Sequence, residues 1–484
     1  MAILVIDVGT SGVRAAIVGP DASMTHEVRQ ATLPDSPIPG LVEFDAIAYV
    51  DAALDCARQT LEQYDARFGP VDAVGISNQR ASTVIWDRAT GEPIAPALGW
   101  QDLRTVGDCL TLNTEGFHLA PNLSATKVSH LLDLHDPGRV RDLCFGTMDS
   151  WLVWHLTEGV HHVADLTNAA LWGLLDRNAD QLDRRLLERL RIPESMMPRL
   201  VDSTGPIGEA TALAGSPTIC GLAGDQQSSL IGQACVLPGT AKITFGTGGM
   251  LDVCLGRQRP SFGTRGRGGT FPMVCWSEDG ERTWGVEAVM LSAGTNIEWL
   301  RDDLGLIPDA ASSSAIAATV DDTGGVVYVP ALMGLGTPQW DYGARGALLG
   351  LTRGTESAHL VRAVLEGVAQ RGADLVDAAE VDGNLQLQTL RIDGGMSANE
   401  VFVQALADAT QRPIEISPVP EATALGAGFL AGLANGTWGS WDDLAATWAP
   451  RIRVEPGAAT DRDRWQDAVR RSGEWFADLS ALDF

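Results

Sequence analysis

Two stretches constrain this chain more than anything else in it: Val5-Ile6-Asp7-Val8-Gly9-Thr10-Ser11-Gly12-Val13-Arg14 near its start, and Ala241-Lys242-Ile243-Thr244-Phe245-Gly246-Thr247-Gly248-Gly249-Met250 at its middle. Each reads as an apolar strand running into a tight turn of glycines and hydroxyls. Glycines lacking Cβ let successive backbone N–H groups aim at one anion, and Thr10, Ser11 and Thr247 add hydroxyl donors. One such turn is an ordinary surface hairpin. Two of them, roughly 240 residues apart, suggest a duplicated domain clamping one nucleotide between its copies. Shortly before the second turn, Gly221-Leu222-Ala223-Gly224-Asp225-Gln226 presents a carboxylate at an element's end, where flanking glycines let the backbone bend. A base therefore accompanies the phosphate cradles.

Composition sets the outer limits. A length of 484 residues gives a prior of two to four domains, and 45% hydrophobic with 20% charged residues is ordinary globular composition. Net charge is −27, from 62 acidic and 35 basic residues spread along the chain, which argues against nucleic acid or an anionic membrane as a partner. An acidic surface does not exclude a nucleotide, because a divalent cation and a few local donors govern the site itself. The seven cysteines include no C-x-x-C pair, so a reduced, cytoplasmic protein is expected. No window reaches the 18 or so apolar residues of a membrane span, and the run Ala2 to Ile6 reads as a strand, so neither a span nor a signal peptide is expected.

Along the chain, a helix is expected from about Asp45 to Tyr64, then a buried strand Val71 to Ser77 that delivers Asn78-Gln79-Arg80-Ala81-Ser82 into a loop. Polar groups at a strand's end are where open α/β sheets bind ligands. Trp100, beside Gln101 and Asp102, is either an apolar pocket wall or a half-buried core residue; Trp151 and Trp154 read as packing. The run from Arg257 to Gly269 is expected to be a mobile loop, with anion binding as its alternative. Leu390 to Asn399 reads as strand, double glycine and helix start, and Glu421 to Gly428 as a small-residue helix facing that turn. The tail from about Pro450 is expected to cap the second domain.

These motifs, in this order, resemble the FGGY carbohydrate kinase family, its glycerol-phosphorylating branch most of all. Asn122-Leu123-Ser124-Ala125-Thr126-Lys127 partly matches the first family signature, with His130 where Trp is usual; Gly346 to Leu351 followed by His359 to Glu366 fits the second at full spacing. The resemblance implies an α/β, two-domain actin-like ATPase (ribonuclease H-like) fold with a ligand cleft between residues 1–243 and 244–484. It implies ATP and Mg²⁺ as cofactors, and phosphorylation of a terminal hydroxyl of a small polyol or sugar. Glycerol is the leading acceptor, with a four- or five-carbon polyol or ketose, or a non-catalytic nucleotide-binding regulator, as alternatives. A homo-oligomer, dimer or tetramer, is implied as well.

Residue by residue, the resemblance makes Asp225 the general base and, with Asp7, a metal ligand. It puts Thr10, Ser11, Gly12, Arg14, Gly246, Thr247 and Gly248 on phosphates, and Gly294, Glu298, Gly395, Met396 and Asn399 on the adenosine side. Arg80, Trp100 and Gln226 match the acceptor site. Three neighbours depart from it: Ala81 stands for Glu, Asn122 for Tyr and Met250 for Phe; the lost Glu removes a hydroxyl acceptor, and Ala81 and Met250 leave a pocket that is roomier or differently shaped. Glu298 stands where Gln is usual.

Overall fold

The computed structural model describes residues 1–179 and 181–482. Two sheets organise it. The first contains β1 (Ala2–Val8), β2 (Gly12–Val18), β3 (Met24–Ala31), β4 (Val71–Asn78), β5 (Thr204–Glu209) and β6 (Thr218–Gly224), in the order β5-β6-β4-β1-β2-β3. The second contains β7 (Ala241–Phe245), β8 (Gly249–Gly256), β9 (Phe271–Glu278), β10 (Glu281–Met290), β11 (Leu390–Asp393), β12 (Ile414–Ile416) and β13 (Ile452–Val454), in the order β9-β10-β8-β7-β11-β12-β13.

Within each sheet five strands repeat one plan. In the first, β1 pairs antiparallel with β2 and β2 with β3, while β4 lies parallel to both β1 and β6. In the second, β7, β8 and β10 form the antiparallel set, and β11 lies parallel to both β7 and β12. The β1–β2 and β7–β8 turns are thus equivalent positions of two copies. The central strands are apolar on both faces because helices cover both: every residue of β1 is buried. Residue 243, the boundary expected from the sequence, falls inside β7, which belongs wholly to the second sheet.

Helix α1 (Ala46–Gln63) packs its apolar stripe on the first sheet, and its first turn is capped by the Asp45 carboxylate, which accepts from the N–H groups of Ile47 (2.9 Å) and Ala48 (3.2 Å). Two further helices join the halves: α2 (Asp225–Gly232) and α5 (Ala422–Ala434), the latter following α3 (Ser357–Gly383) and α4 (Glu400–Thr410). A Cβ added at Gly232 would lie 1.8 Å from the Ala422 carbonyl oxygen, and one at Gly426 1.8 Å from that of Ser228. Only glycine allows two backbones to cross this closely. The small-residue helix expected to face the Gly394–Gly395 turn instead packs on α2 and against β1, β4 and β6 of the first sheet. Small side chains serve helix crossing there.

The arginine-rich loop is also tied down, contrary to expectation. Asp382 accepts from the N–H groups of Gly268 (2.7 Å) and Thr270 (3.1 Å) and from the Thr270 hydroxyl (2.8 Å), while Arg259 and Arg265 lie over the rings of Trp284 and Trp340. Near the C-terminus, α6 (Arg462–Ser472) buries Trp465, whose indole N–H bonds Asp374 of α3 (3.0 Å). No helix among the described residues is long and apolar enough to cross a membrane.

Candidate active site

The first turn is braced from behind. Gly9 N–H closes it on the Gly12 carbonyl (2.9 Å), and the Tyr49 hydroxyl of α1 lies 2.9 Å from the carbonyls of both Thr10 and Thr32. Ser11 is exposed at the tip. Asp7, on β1 just before the turn, is 5% exposed; the Ser77 hydroxyl donates to it (2.6 Å) and Arg14 Nε pairs with it (3.2 Å). Burial raises the Asp7 carboxyl above its ordinary range, opposed by Arg14 and Ser77. Arg14 also pairs with Glu421, so its guanidinium serves two carboxylates at the edge of the hairpin.

The expected acceptor loop and the expected base meet at adjacent strand ends. Strand β4 leads to Arg80 and β6 to Asp225, the first residue of α2; Arg80 Nε lies 3.3 Å from Asp225 Oδ1, which also accepts from the Gln226 N–H (2.8 Å). The carboxyl is raised by burial and by the nearby Asp7 and Glu287 charges, against the pull of Arg80 and the Gln226 N–H. Its side chain is still 32% exposed, so a ligand reaches it. Trp100, 37% exposed, turns its indole N–H to the Thr10 hydroxyl (3.1 Å), which places the expected pocket wall against the first glycine turn. Lys127 is fully buried and donates to the carbonyls of Trp100 (3.2 Å) and Asn122 (3.3 Å); burial pushes its ammonium down to about 7. Asn122 itself is exposed, and Met250 lies on β8 between Thr244 and Val289. Ala81 is buried, with a left-handed backbone (φ 60°) and a carbonyl that accepts from the Ser124 hydroxyl (3.0 Å).

A polar network behind these strand ends was not anticipated from the sequence. Asp165 caps the short helix Leu166–Ala169 and accepts from the hydroxyls of Thr167 (2.9 Å) and Ser203 (2.8 Å) and from Asn168 Nδ2 (2.9 Å). Thr167 Oγ1 in turn accepts the N–H of Gly224 (2.8 Å), next to Asp225. Asn168 exchanges amide hydrogen bonds with Asn78 (2.8 and 3.2 Å), two residues before Arg80. One buried cluster therefore fixes both strand ends. Beside it Asp149 is pushed up to about 7, by burial first and by Asp165 second.

From the second domain, Lys242 Nζ reaches Gln226 Oε1 (2.9 Å) and Glu287 Oε2 accepts from Arg80 Nη1 (2.8 Å). The signal for both was available: Lys242 and Asp252 are lone charges in their strands, and Glu287 interrupts the uncharged run Thr283 to Met290; buried charges demand partners.

On the side where the nucleotide is expected, the 246–248 turn is held by Gly294, whose N–H bonds the Gly246 carbonyl (2.8 Å), and by the Ala293 N–H on the Thr247 carbonyl (2.8 Å). A Cβ at Gly294 would lie 2.6 Å from the Gly246 oxygen, so that residue acts by close approach. Cβ atoms at Gly246 or Gly395 would meet no atom of the described residues within 4 Å; both face open space. Glu298 is exposed on the helix after Gly294. Two expected contacts are differently disposed. The Met396 side chain is packed in the second domain's core, leaving only its backbone for a ligand, and Asn399 caps α4, accepting from Phe402 N–H (3.0 Å) while donating to Ser313 (2.9 Å).

Asp7 and Asp225 are two burial-raised carboxylates, the first adding to the rise of the second, and a divalent cation would relieve both. Among the described residues no group of three or more His, Cys, Asp or Glu is arranged to cage a metal. Such a pair fits Mg²⁺, which takes one or two carboxylates plus substrate phosphates, and does not fit a structural metal.

A duplicated strand-hairpin domain, with a glycine turn in each copy and a carboxylate at a neighbouring strand end, belongs with the phosphotransferases of the two-domain actin-like class. The chain belongs to the FGGY family of carbohydrate kinases: the family's N-terminal domain matches residues 2–232 and its C-terminal domain residues 241–435. It is 41% identical to the glycerol kinase of Aromatoleum aromaticum over 497 residues, covering 98% of this chain and 99% of that one. It is 40% identical to that of Deinococcus radiodurans, covering 99% of each. Among solved structures, the glycerol kinase of Plasmodium falciparum with ADP superposes with a TM-score of 0.90 at 27% identity, covering 100% and 99% of the two chains. A xyloylose kinase from Brucella ovis gives 0.85 at 25% identity, with full coverage of both.

Proposed function

We propose that this enzyme transfers the γ-phosphoryl group of ATP to a terminal hydroxyl of glycerol, with the cleft between its two sheets as the active site. The observation that carries the reading is Asp225, which touches Arg80 and the Gln226 backbone where β4 and β6 end side by side and remains open to a ligand. Glycerol kinases at about 40% identity across the whole chain support the choice of acceptor.

Phosphoryl transfer to an alcohol requires alignment, charge neutralisation and a base. Asp225 accepts the proton of the attacking hydroxyl, a role to which its burial-raised proton affinity is suited; such groups contribute about 10²- to 10⁴-fold. Arg80 and Gln226 hold the remaining hydroxyls against the Trp100 ring. The turns around Thr10, Ser11 and Gly12 and around Gly246, Thr247 and Gly248 direct N–H and hydroxyl donors at the phosphates, with Arg14 steadying Asp7. Gly294, Gly395 and the backbone at Met396 flank the adenosine. Asp7 and Asp225 would hold Mg²⁺, which when bound neutralises charge on the transferring phosphoryl group. Hinge closure between the domains excludes water.

Ala81 favours a second reading, a four- or five-carbon polyol or ketose as acceptor, because the position offers no carboxylate and little bulk. Phosphorylation takes place in the cytoplasm, consistent with seven buried free thiols, and the enzyme is a homo-oligomer in keeping with the family resemblance. A panel of C3 to C6 polyols and sugars assayed for ADP release tests the function. The greatest kcat/KM is expected with glycerol; a longer acceptor in first place selects the second reading, and no polyol-dependent ADP release would refute both.

A further inference from the structure

Charged and amide groups from the two domains close a ring beneath the base. Asp225 pairs with Arg80 (3.3 Å) and Arg80 with Glu287 (2.8 Å); Glu287 lies directly across β10 and β8 from Asp252, and Asp252 pairs with Lys242 (2.8 Å). Lys242 then donates to Gln226 Oε1 (2.9 Å), the neighbour of Asp225. Three members belong to the first domain and three to adjacent strands of the second sheet.

Lys242 and Asp252 are both 0% exposed, and a buried ion pair is a poor source of stability, since desolvation offsets its attraction. Its value here is geometric. An ammonium has three donors and no acceptor, so the Gln226 atom facing Lys242 must be the amide oxygen. The amide NH₂ is thereby turned away from Lys242 and kept as a donor. Thr244 Oγ1, the third acceptor for Lys242 at 3.0 Å after Asp252 and Gln226, fixes the direction of approach. Glu287, 14% exposed, acts likewise on Arg80: by taking Nη1 it holds the guanidinium plane while Nε faces Asp225.

We infer that Lys242 and Glu287 are positioning residues through which the second domain orders the acceptor site of the first, Lys242 presenting the Gln226 amide as a hydroxyl-directed donor and Glu287 orienting Arg80. The inference rests on the reading that Arg80, Gln226 and Asp225 hold a polyol. It makes the acceptor one that offers oxygen lone pairs to two adjacent donors, as a vicinal diol does.

The test uses the full-length enzyme and its Lys242→Met, Glu287→Gln and Gln226→Glu variants, with KM for glycerol, kcat, nucleotide Kd and Tm measured for each. Loss of one charge-assisted contact predicts a KM for glycerol raised about tenfold or more in Lys242→Met and Glu287→Gln, with nucleotide Kd within about twofold of wild type. Gln226→Glu keeps an oxygen for Lys242 but removes the donor, so its KM should rise with Tm preserved. Lowered Tm with unchanged KM in the variants would make the ring a structural brace and overturn the inference. Should Lys242→Met fail to fold, with Asp252 left unpaired, Glu287→Gln and Gln226→Glu decide by the same criterion. A wild type without polyol-dependent turnover would remove the kinase reading itself and the inference with it.

Discussion

Replacing Thr167 by Val changes one hydroxyl for a methyl of similar shape, behind the base and out of reach of substrate. The hydroxyl accepts the Gly224 N–H at 2.8 Å and donates to Asp165 at 2.9 Å. Its removal strands a buried N–H one residue before Asp225, at about 1–3 kcal/mol. For domains of 150–250 residues each kcal/mol lowers Tm by about 2–4 °C, so a fall of several degrees is expected. The catalytic effect should be larger than that. Asp225 begins α2 directly after Gly224, so relaxation of the strand end moves the carboxylate, and a displacement of about 1 Å costs up to roughly 100-fold in rate. We expect kcat reduced about 10- to 100-fold with KM for glycerol and ATP within about twofold. ADP release under saturating substrates, alongside thermal unfolding, measures both. A Tm that falls while kcat stays within twofold would show that Thr167 supports the fold and does not position the base.

Ala81→Glu should raise the ratio of kcat/KM for glycerol to that for a C4 or C5 polyol by about tenfold, within the 1.5–3 kcal/mol of a charge-assisted hydrogen bond reduced by burial of the new carboxylate; ratios that move together would deny residue 81 a part in acceptor choice. His162, whose Nε2–H donates to the Phe145 carbonyl (2.8 Å), is pushed down to about 4 by burial, whereas an unfolded histidine takes its proton near 6.5. The unfolded chain binds the extra proton between those values, so stability falls with pH from about 6.5 towards 4, by about 1–2 kcal/mol at pH 5. His162→Gln, which keeps an N–H donor without titrating, should lose less stability than wild type between pH 7 and pH 5; parallel curves would rule His162 out. Small-angle scattering with glycerol, Mg²⁺ and a non-hydrolysable nucleotide should show a smaller radius of gyration than the free enzyme, and an unchanged one would argue against hinge closure.

The duplication was legible because both hairpins are local: strand, glycine turn and strand lie within ten residues, and the structure gives their strands the same order and sense in both sheets. Helix α1 was legible for the same reason, its Asp45 cap and apolar stripe lying along one segment. The partners of α5 were not, because its run of small residues says that something approaches closely without saying what; Gly232 and Ser228 lie nearly 200 residues upstream. Arg80 and Asp225 could be picked out by residue type and turn context, and Trp100 once the family resemblance was added, but the tethers around them come from elsewhere in the chain: Glu287 and Lys242 from strands of the second sheet, Thr167 and Lys127 from helices. The family resemblance assigns Met396 and Asn399 to the adenosine side, but side-chain direction there is set by the core and by the cap of α4.

The most direct test of the account is the fate of one proton acceptor. Asp225→Asn preserves the size of the side chain and an oxygen for the Arg80 contact, but an amide does not take the hydroxyl proton. Phosphorus NMR of wild type with glycerol and Mg-ATP should show a glycerol phosphate ester growing as ADP appears. The variant should still bind nucleotide and form the ester at least about 100-fold more slowly, in line with the usual contribution of a general base. An Asp225→Asn enzyme that keeps more than about a tenth of the wild-type rate would contradict the role of Asp225 as the base of this kinase.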